Sequence, residues 1–189
     1  MQVNFRKISP GDRIHVVAPS SPVRDEGALK RGLAILSRRY QVSVPRGVYA
    51  RKGFLAGADT TRLGCIQKAL SDGRTRAIFT ARGGHGATRL LARVDWERWY
   101  EGRKPMVGFS DVTALQLASL ALAGVSSIHG PSVSSISTQP KGYQRHLLRL
   151  LEDPGYDFGQ PPARLRSLKQ GRAVGPLVGG NLSMIDQLV

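Results

Sequence analysis

"PMVGFSDVTALQLASL", residues 105–120, decides the architecture. Pro105-Met106-Val107-Gly108-Phe109 is a short apolar run that reads as a buried strand, while Val112, Leu115, Leu117 and Leu120 recur at helical spacing. Ser110 and Asp111 stand at the joint. A strand that passes straight into a helix is the repeating unit of a βαβ chain, and the same alternation is found on both sides of this stretch.

Working back toward the N-terminus, Arg76-Ala77-Ile78-Phe79-Thr80 reads as a strand. It runs into Arg82-Gly83-Gly84-His85-Gly86 and a helix with Leu90 and Leu91. Before it, Thr60 or Thr61 is placed to cap a helix carrying Leu63, Ile66 and Leu70 that ends near Gly73. Residues 46–58 read as a glycine-rich loop, and Tyr40-Gln41-Val42-Ser43-Val44 as a strand. Ala28, Leu29, Leu33, Ile35 and Leu36 mark a helix, preceded by the strand Arg13-Ile14-His15-Val16-Val17-Ala18 and its stop, Pro19-Ser20-Ser21-Pro22.

Toward the C-terminus, Val125-Ser126-Ser127-Ile128 reads as a fifth strand closed by His129-Gly130-Pro131, and Gln144 to Leu151 as a helix. A Pro-rich irregular segment, Asp153 to Ala163, follows. Ala173-Val174-Gly175-Pro176-Leu177-Val178 then leads through Gly179-Gly180-Asn181-Leu182 into a new helix pattern. The fold class is therefore α/β, a mostly parallel sheet flanked by helices.

Composition narrows the function. The 189 residues suit one domain with a real core. A net charge of +15 raises a polyanionic partner, but the arginines are spread singly, aromatics are only 6%, and no nucleic-acid motif is present, so nucleic acid is not the expected partner. No apolar run is long enough to cross a membrane and Met1 to Lys7 lack a secretion signal, which points to the cytoplasm. Cys65, the single cysteine, lies among Leu63, Ile66, Ala69 and Leu70 and reads as a small buried hydrophobe. His15, His85, His129 and His146 are widely separated, so no metal site is expected.

In open α/β sheets, ligands bind beyond the carboxyl ends of the strands, where turns present backbone N–H groups. Three turns qualify: Arg82 to Gly86, Phe109 to Asp111, and Gly179 to Asn181. The first has the spacing G-G-x-G, which matches neither the dinucleotide fingerprint nor the phosphate loop, yet it can cradle an anion or an oxyanion. Ser110 with Asp111 fits a helix N-cap, and it equally fits half of a nucleophile elbow, with Gly108 in place of the first glycine but Val112 in place of the last. Spacing leaves both readings open.

The stretches "GDRIHVVAPSSPV", "FLAGADTTRLGCIQKAL", "AIFTARGGHGATRLL", "KPMVGFSDVTALQLA", "HGPSV" and "GPLVGGNLSMIDQL" together resemble the serine LD-carboxypeptidase family. That family includes the muropeptide LD-carboxypeptidases and the microcin C immunity peptidases. The resemblance implies a flavodoxin-like N-terminal domain with Ser110 as nucleophile, and an oxyanion hole made by the backbone N–H groups of Asp111 and Gly84. Arg82, Gly83, His85 and Asn181 are then expected at the substrate, with no cofactor and no metal.

It further implies that the Glu and His completing the triad belong to a second domain after Gly-Gly-Asn-Leu, whereas this sequence stops seven residues after Leu182. The expected division is an α/β nucleophile domain over 1–165, then a linker strand and the start of a truncated C-terminal domain over 166–189. As such a fragment the chain is expected to be nearly inert. The implied reaction is release of terminal D-alanine from murein tetrapeptides in cell-wall recycling, with the missing C-terminal domain and a second copy of the chain as candidate partners. Two rival readings are a microcin C immunity-type peptidase cleaving peptidyl or acyl-sulfamoyl adenylates, and a non-catalytic α/β protein that binds a peptide or an anion.

Overall fold

A computed structural model describes residues 5–153, 155–157, 169–172, 174–175 and 177–188. Five strands, β1 (Arg13–Val17), β2 (Gln41–Ser43), β3 (Thr75–Thr80), β4 (Met106–Gly108) and β5 (Ile128–His129), form one sheet in the order β2-β1-β3-β4-β5, with every pairing parallel. This is the doubly wound, flavodoxin-like order, whose switch point lies between β1 and β3. The expected α/β class and parallel sheet are thus observed.

The connecting helices are α1 (Glu26–Ser37), α2 (Asp59–Ser71), α3 (Trp96–Gly102) and α4 (Thr113–Ala123), with α5 (Val133–Ile136), α6 (Lys141–Glu152) and α7 (Leu182–Asp186) after the sheet. Right-handed crossovers put α1 on one face and α2, α3 and α4 on the other. On its face α1 meets α5 so closely that a Cβ on Gly32 would lie 1.8 Å from the Val133 carbonyl oxygen. Central strands covered on both faces should be apolar throughout. Ile14, Val16, Val17, Ala77, Ile78, Phe79, Met106 and Val107 are all fully buried.

Ends of elements are held by specific side chains. The Asp25 carboxylate caps α1 by accepting from Ala28 N at 2.9 Å, and Asp95 caps α3 by accepting from Arg98 N at 2.9 Å. Buried Lys104 closes the far end of α2, donating through Nζ to the carbonyls of Ala69, Leu70 and Asp72 at 2.8, 2.6 and 2.9 Å. Glu152 at the end of α6 accepts from Arg39 and from the Tyr40 hydroxyl, tying α6 to the α1–β2 corner.

Several local expectations need correction. Neither Thr60 nor Thr61 caps α2. The cap position is Ala58 and carries no side-chain bond, because Asp59, already inside the first turn, is engaged by Arg62 and Arg89. Leu90 lies in a 3-10 turn, Thr88–Arg93, and not in an α-helix. The fifth strand is only Ile128 and His129, since the Ser127 hydroxyl turns to Ser119 and the chain reaches β4 only at Ile128. The loop over 46–58 contains a 3-10 turn, Arg46–Tyr49, and an antiparallel bridge between Lys52 and Leu55. Helices α3 and α5 carry too few residues for a readable period.

Cys65 is buried, as expected, and desolvation raises its thiol pKa. Most of the Pro-rich segment, the proposed boundary at 165/166, and Ala173 and Pro176 of the expected linker strand lie outside the described residues. No helix among the described residues is long and apolar enough to cross a membrane.

Candidate active site

The carboxyl ends of β1, β3 and β4 converge at the switch point, and each contributes a turn. After β4 the chain stays extended through Phe109 (φ −152°, ψ 179°) and then reverses at Ser110, whose φ is +68°. A β-carbon in the left-handed region costs on the order of 1–2 kcal/mol, so such a residue persists only where its surroundings hold it. Ser110 opens a 3-10 turn, Ser110–Val112, that feeds α4. Its side chain caps nothing, and its hydroxyl has no hydrogen-bond partner among the described residues. The half-buried Ser110 is thus a turn residue with a free hydroxyl, and the N-cap reading fails on geometry.

Three neighbours hold this turn. A Cβ on Gly108 would come within 2.2 Å of Thr80 Oγ1, so glycine is required for β4 to lie against β3 there. The Thr80 hydroxyl donates to the Val107 carbonyl at 3.1 Å. Gly83, after β3, faces Ser110 directly, and a Cβ there would lie 2.8 Å from Ser110 Cβ and 3.2 Å from its Oγ. The buried Asp111 carboxylate accepts from Ala87 N at 2.9 Å, which locks the serine turn to the end of the glycine turn.

The glycine turn is anchored on its other side by the β1 turn. Gly84 has φ +128° and packs on Ser21, where a Cβ would meet Oγ at 2.1 Å. His85 N donates to the same Ser21 Oγ at 3.1 Å. Arg82 spends its guanidinium on the Pro22 carbonyl at 3.1 Å, and burial lowers its pKa from the ordinary arginine value. Arg62, fully buried, donates from one nitrogen to the carbonyls of Pro19 and Gly86, fastening both turns to α2. Its other terminal nitrogen pairs with Asp59 at 2.6 Å.

Gly179 to Asn181 reaches the same region. Asn181 N donates to Thr113 Oγ1 at 3.1 Å, and a Cβ on Gly180 would strike Thr113 Cγ2 at 2.3 Å. The exposed Asn181 side chain caps α7 through Ser183 N at 3.1 Å. Thr113 is three residues beyond Ser110, so all three turns singled out in the sequence meet at one edge of the sheet.

The structure brings Ser110, Asp111, Gly83 and Gly84 together, and it bonds Asn181 to Thr113, three residues beyond Ser110. Arg82 faces Pro22, and the exposed His85 is tied here only through its backbone. His129 ends β5 opposite Gly108, with Nδ1 3.4 Å from Gln116 Oε1, and desolvation lowers its pKa. His146 bonds the Tyr156 hydroxyl at 2.8 Å through Nδ1.

Sequence reasoning missed Ser21, Arg62, Thr113 and Gln116. Their common signal is a polar residue at a strand end or on a buried helix face, and a tertiary partner gives each its meaning.

A parallel α/β domain with a half-buried, unpaired serine at a strand-to-helix elbow, faced by a glycine turn, offers the kind of turn at which α/β hydrolases carry a nucleophile. The chain belongs to the LD-carboxypeptidase family: the family's N-terminal domain (peptidase S66) matches residues 14–130. It is 37% identical over 182 residues to a Synechocystis protein named "putative carboxypeptidase", covering 94% of this chain and 57% of that one. It is also 31% identical over 186 residues to the murein tetrapeptide carboxypeptidase of Pseudomonas aeruginosa, covering 92% and 59%. The fold matches wild-type microcin C7 self immunity protein MccF with a TM-score of 0.84 at 18% identity, over 97% of this chain and 64% of that one. The chain thus spans less than two thirds of the length of these relatives.

Proposed function

We propose that the protein of which this chain is part is a serine LD-carboxypeptidase, hydrolysing the amide between the L-centre of a diamino acid and terminal D-alanine in murein tetrapeptides. The observation that carries this reading is Ser110 itself, a left-handed serine with an unpaired hydroxyl pressed against Gly83. A strained backbone that frees a side chain costs stability and serves chemistry.

In this reading Ser110 Oγ gives its proton to a base and bonds to the scissile carbonyl carbon. The carbonyl oxygen becomes an oxyanion held by the Asp111 and Gly84 N–H groups. Asp111 is the second residue of the 3-10 turn, where an N–H has no partner within the turn, and Gly84 N donates no backbone hydrogen bond to a described residue. The base then returns the proton to the departing amine of D-alanine. Water attacks the acyl-enzyme and regenerates the serine. Gly83, Arg82, His85 and Asn181 frame the substrate by position. No cofactor takes part.

The base is the element that this edge of the sheet does not supply, because no histidine or carboxylate among the described residues bonds Ser110 Oγ. The Glu and His implied by the family resemblance would come from a second domain, for which the greater length of the relatives leaves room. Val174, Leu177 and Leu182 are 92%, 101% and 79% exposed and offer such a domain an apolar seat. The cytoplasm, where murein fragments are recycled, is the proposed site of action.

D-alanine release by the full-length protein tests the reading. Ser110→Ala should abolish release with the fold intact, and retained turnover would refute the assignment. A microcin-type substrate is the rival within the same chemistry. The higher identity to the murein enzyme favours the tetrapeptide, and faster cleavage of an acyl-sulfamoyl adenylate in direct competition would reverse that order.

A further inference from the structure

Gln116 is buried in α4, with Thr113 and Ser119 as buried polar neighbours one turn to either side and Ala114, Leu115 and Ala123 as buried apolar ones. All its bonds converge on the strand ends beside Ser110. Its Nε2 lies 3.0 Å from the Gly108 carbonyl, 2.9 Å from that of Ile128 and 3.4 Å from that of Met106, while Oε1 faces His129 Nδ1 at 3.4 Å. The Gly108 carbonyl also accepts from Gly130 N at 3.0 Å.

Gly108 is two residues before Ser110, and Gln116 is six residues after it. The side chain therefore spans the loop that the elbow makes, from the helix that the elbow opens to the strand that leads into it. It also adds a bond between β4 and β5, which pair through only two residue pairs. The bridge thus ties the strand end to the helix start across the strained serine.

We propose that Gln116 is the positioning residue that clasps the Ser110 elbow and keeps the hydroxyl aligned for attack. The clasp rests on the reading of Ser110 as nucleophile for its effect on rate, but not for its effect on the backbone. Gln116→Leu removes the bridge with little change in volume. Gln116→Glu retains one donor while the carboxyl is protonated, and on ionisation turns a negative charge toward the carbonyls.

In the full-length protein, Gln116→Leu should lower kcat for D-alanine release about ten- to a hundred-fold with KM nearly unchanged, since misalignment of about 1 Å costs that order of rate. Gln116→Glu should recover activity as pH falls, relative to the native protein at each pH. Amide hydrogen exchange supplies a readout independent of activity. Exchange at Thr113, whose N–H donates to the Ser110 carbonyl and closes the turn, should quicken about tenfold in Gln116→Leu, while β3 amides keep their native rates.

Native kcat and native exchange at Thr113 in a folded Gln116→Leu would overturn the clasp. A fall in rate matched by faster exchange across β3 would also overturn it, because that is general loosening. If Gln116→Leu does not fold, the pH response of Gln116→Glu decides, and a response parallel to the native one overturns the proposal. If the native protein releases no D-alanine, the functional reading fails and the exchange rates alone judge Gln116.

Discussion

Asp111 Oδ2 accepts the backbone N–H of Ala87 at 2.9 Å, so a single buried carboxylate joins the serine turn after β4 to the glycine turn after β3. The two turns that would supply the oxyanion donors are therefore one mechanical unit. Asp111→Ala leaves a buried N–H without an acceptor and should cost about 1–3 kcal/mol, whereas Asp111→Asn retains an acceptor oxygen and should cost less. Chemical denaturation of the two variants checks this order.

Ser110 supplies a test of strain. Within a right-handed helical turn alanine is better tolerated than glycine, but at φ +68° the order should invert. Ser110→Gly should be more stable than Ser110→Ala by about 1 kcal/mol, with neither releasing D-alanine. Equal melting temperatures would show that the turn relaxes in solution.

Gly83→Ala places a methyl 2.8 Å from Ser110 Cβ and 3.1 Å from the Phe109 carbonyl oxygen, where backbone must yield. Overpacking of this kind costs about 1–3 kcal/mol. The displaced hydroxyl should reduce turnover about a hundred-fold in the full-length protein, a larger effect than the loss of stability alone predicts. Steady-state kinetics beside a thermal melt separates the two.

Asp59 is held at about 2 by hydrogen bonds from Arg89 and Arg62. With the folded pKa below the ordinary carboxyl value of about 4, its stabilising effect is complete above that value and is lost as pH falls toward 2. Asp59→Asn should be less stable than the native protein at pH 7, and the gap should narrow through the acid range. Denaturant midpoints from pH 7 to 2.5 measure it.

His15 in β1 is buried with neither ring nitrogen hydrogen-bonded among the described residues, and desolvation lowers its pKa. Its neutral form is the one that the fold accepts, so stability is full above the ordinary histidine pKa of about 6.5 and declines as pH drops below it. His15→Leu should remove that decline and stabilise the protein by about 1 kcal/mol at pH 6. An unchanged pH dependence would show that protonated His15 finds a partner in the core.

Much of this was legible in the linear chain. The strands around Ile78 and Val107 hold unbroken apolar runs, and the one around Ile14 is broken only by His15; burial on both faces of a parallel sheet favours that pattern. The helices with sustained periodicity, α1, α2, α4 and α6, were readable for the same reason. The glycine-rich and serine turns stood out because few residues tolerate such geometry. Membership of the LD-carboxypeptidase family was legible from the order of the motifs.

Other features depend on where distant segments meet. Whether Ser110 caps a helix or presents a hydroxyl turns on one backbone dihedral, and contacts with Gly83 and Thr80 set it. Thr60 has the composition of a cap, but Asp59 opens the helix one residue earlier and binds Arg62 and Arg89. The short α3 and α5, and the two-residue β5, form because neighbouring elements complete them. Local sequence carries local propensity and periodicity, whereas a left-handed serine, a carboxylate bridging two turns and a glutamine clasping a strand end exist only through partners far along the chain.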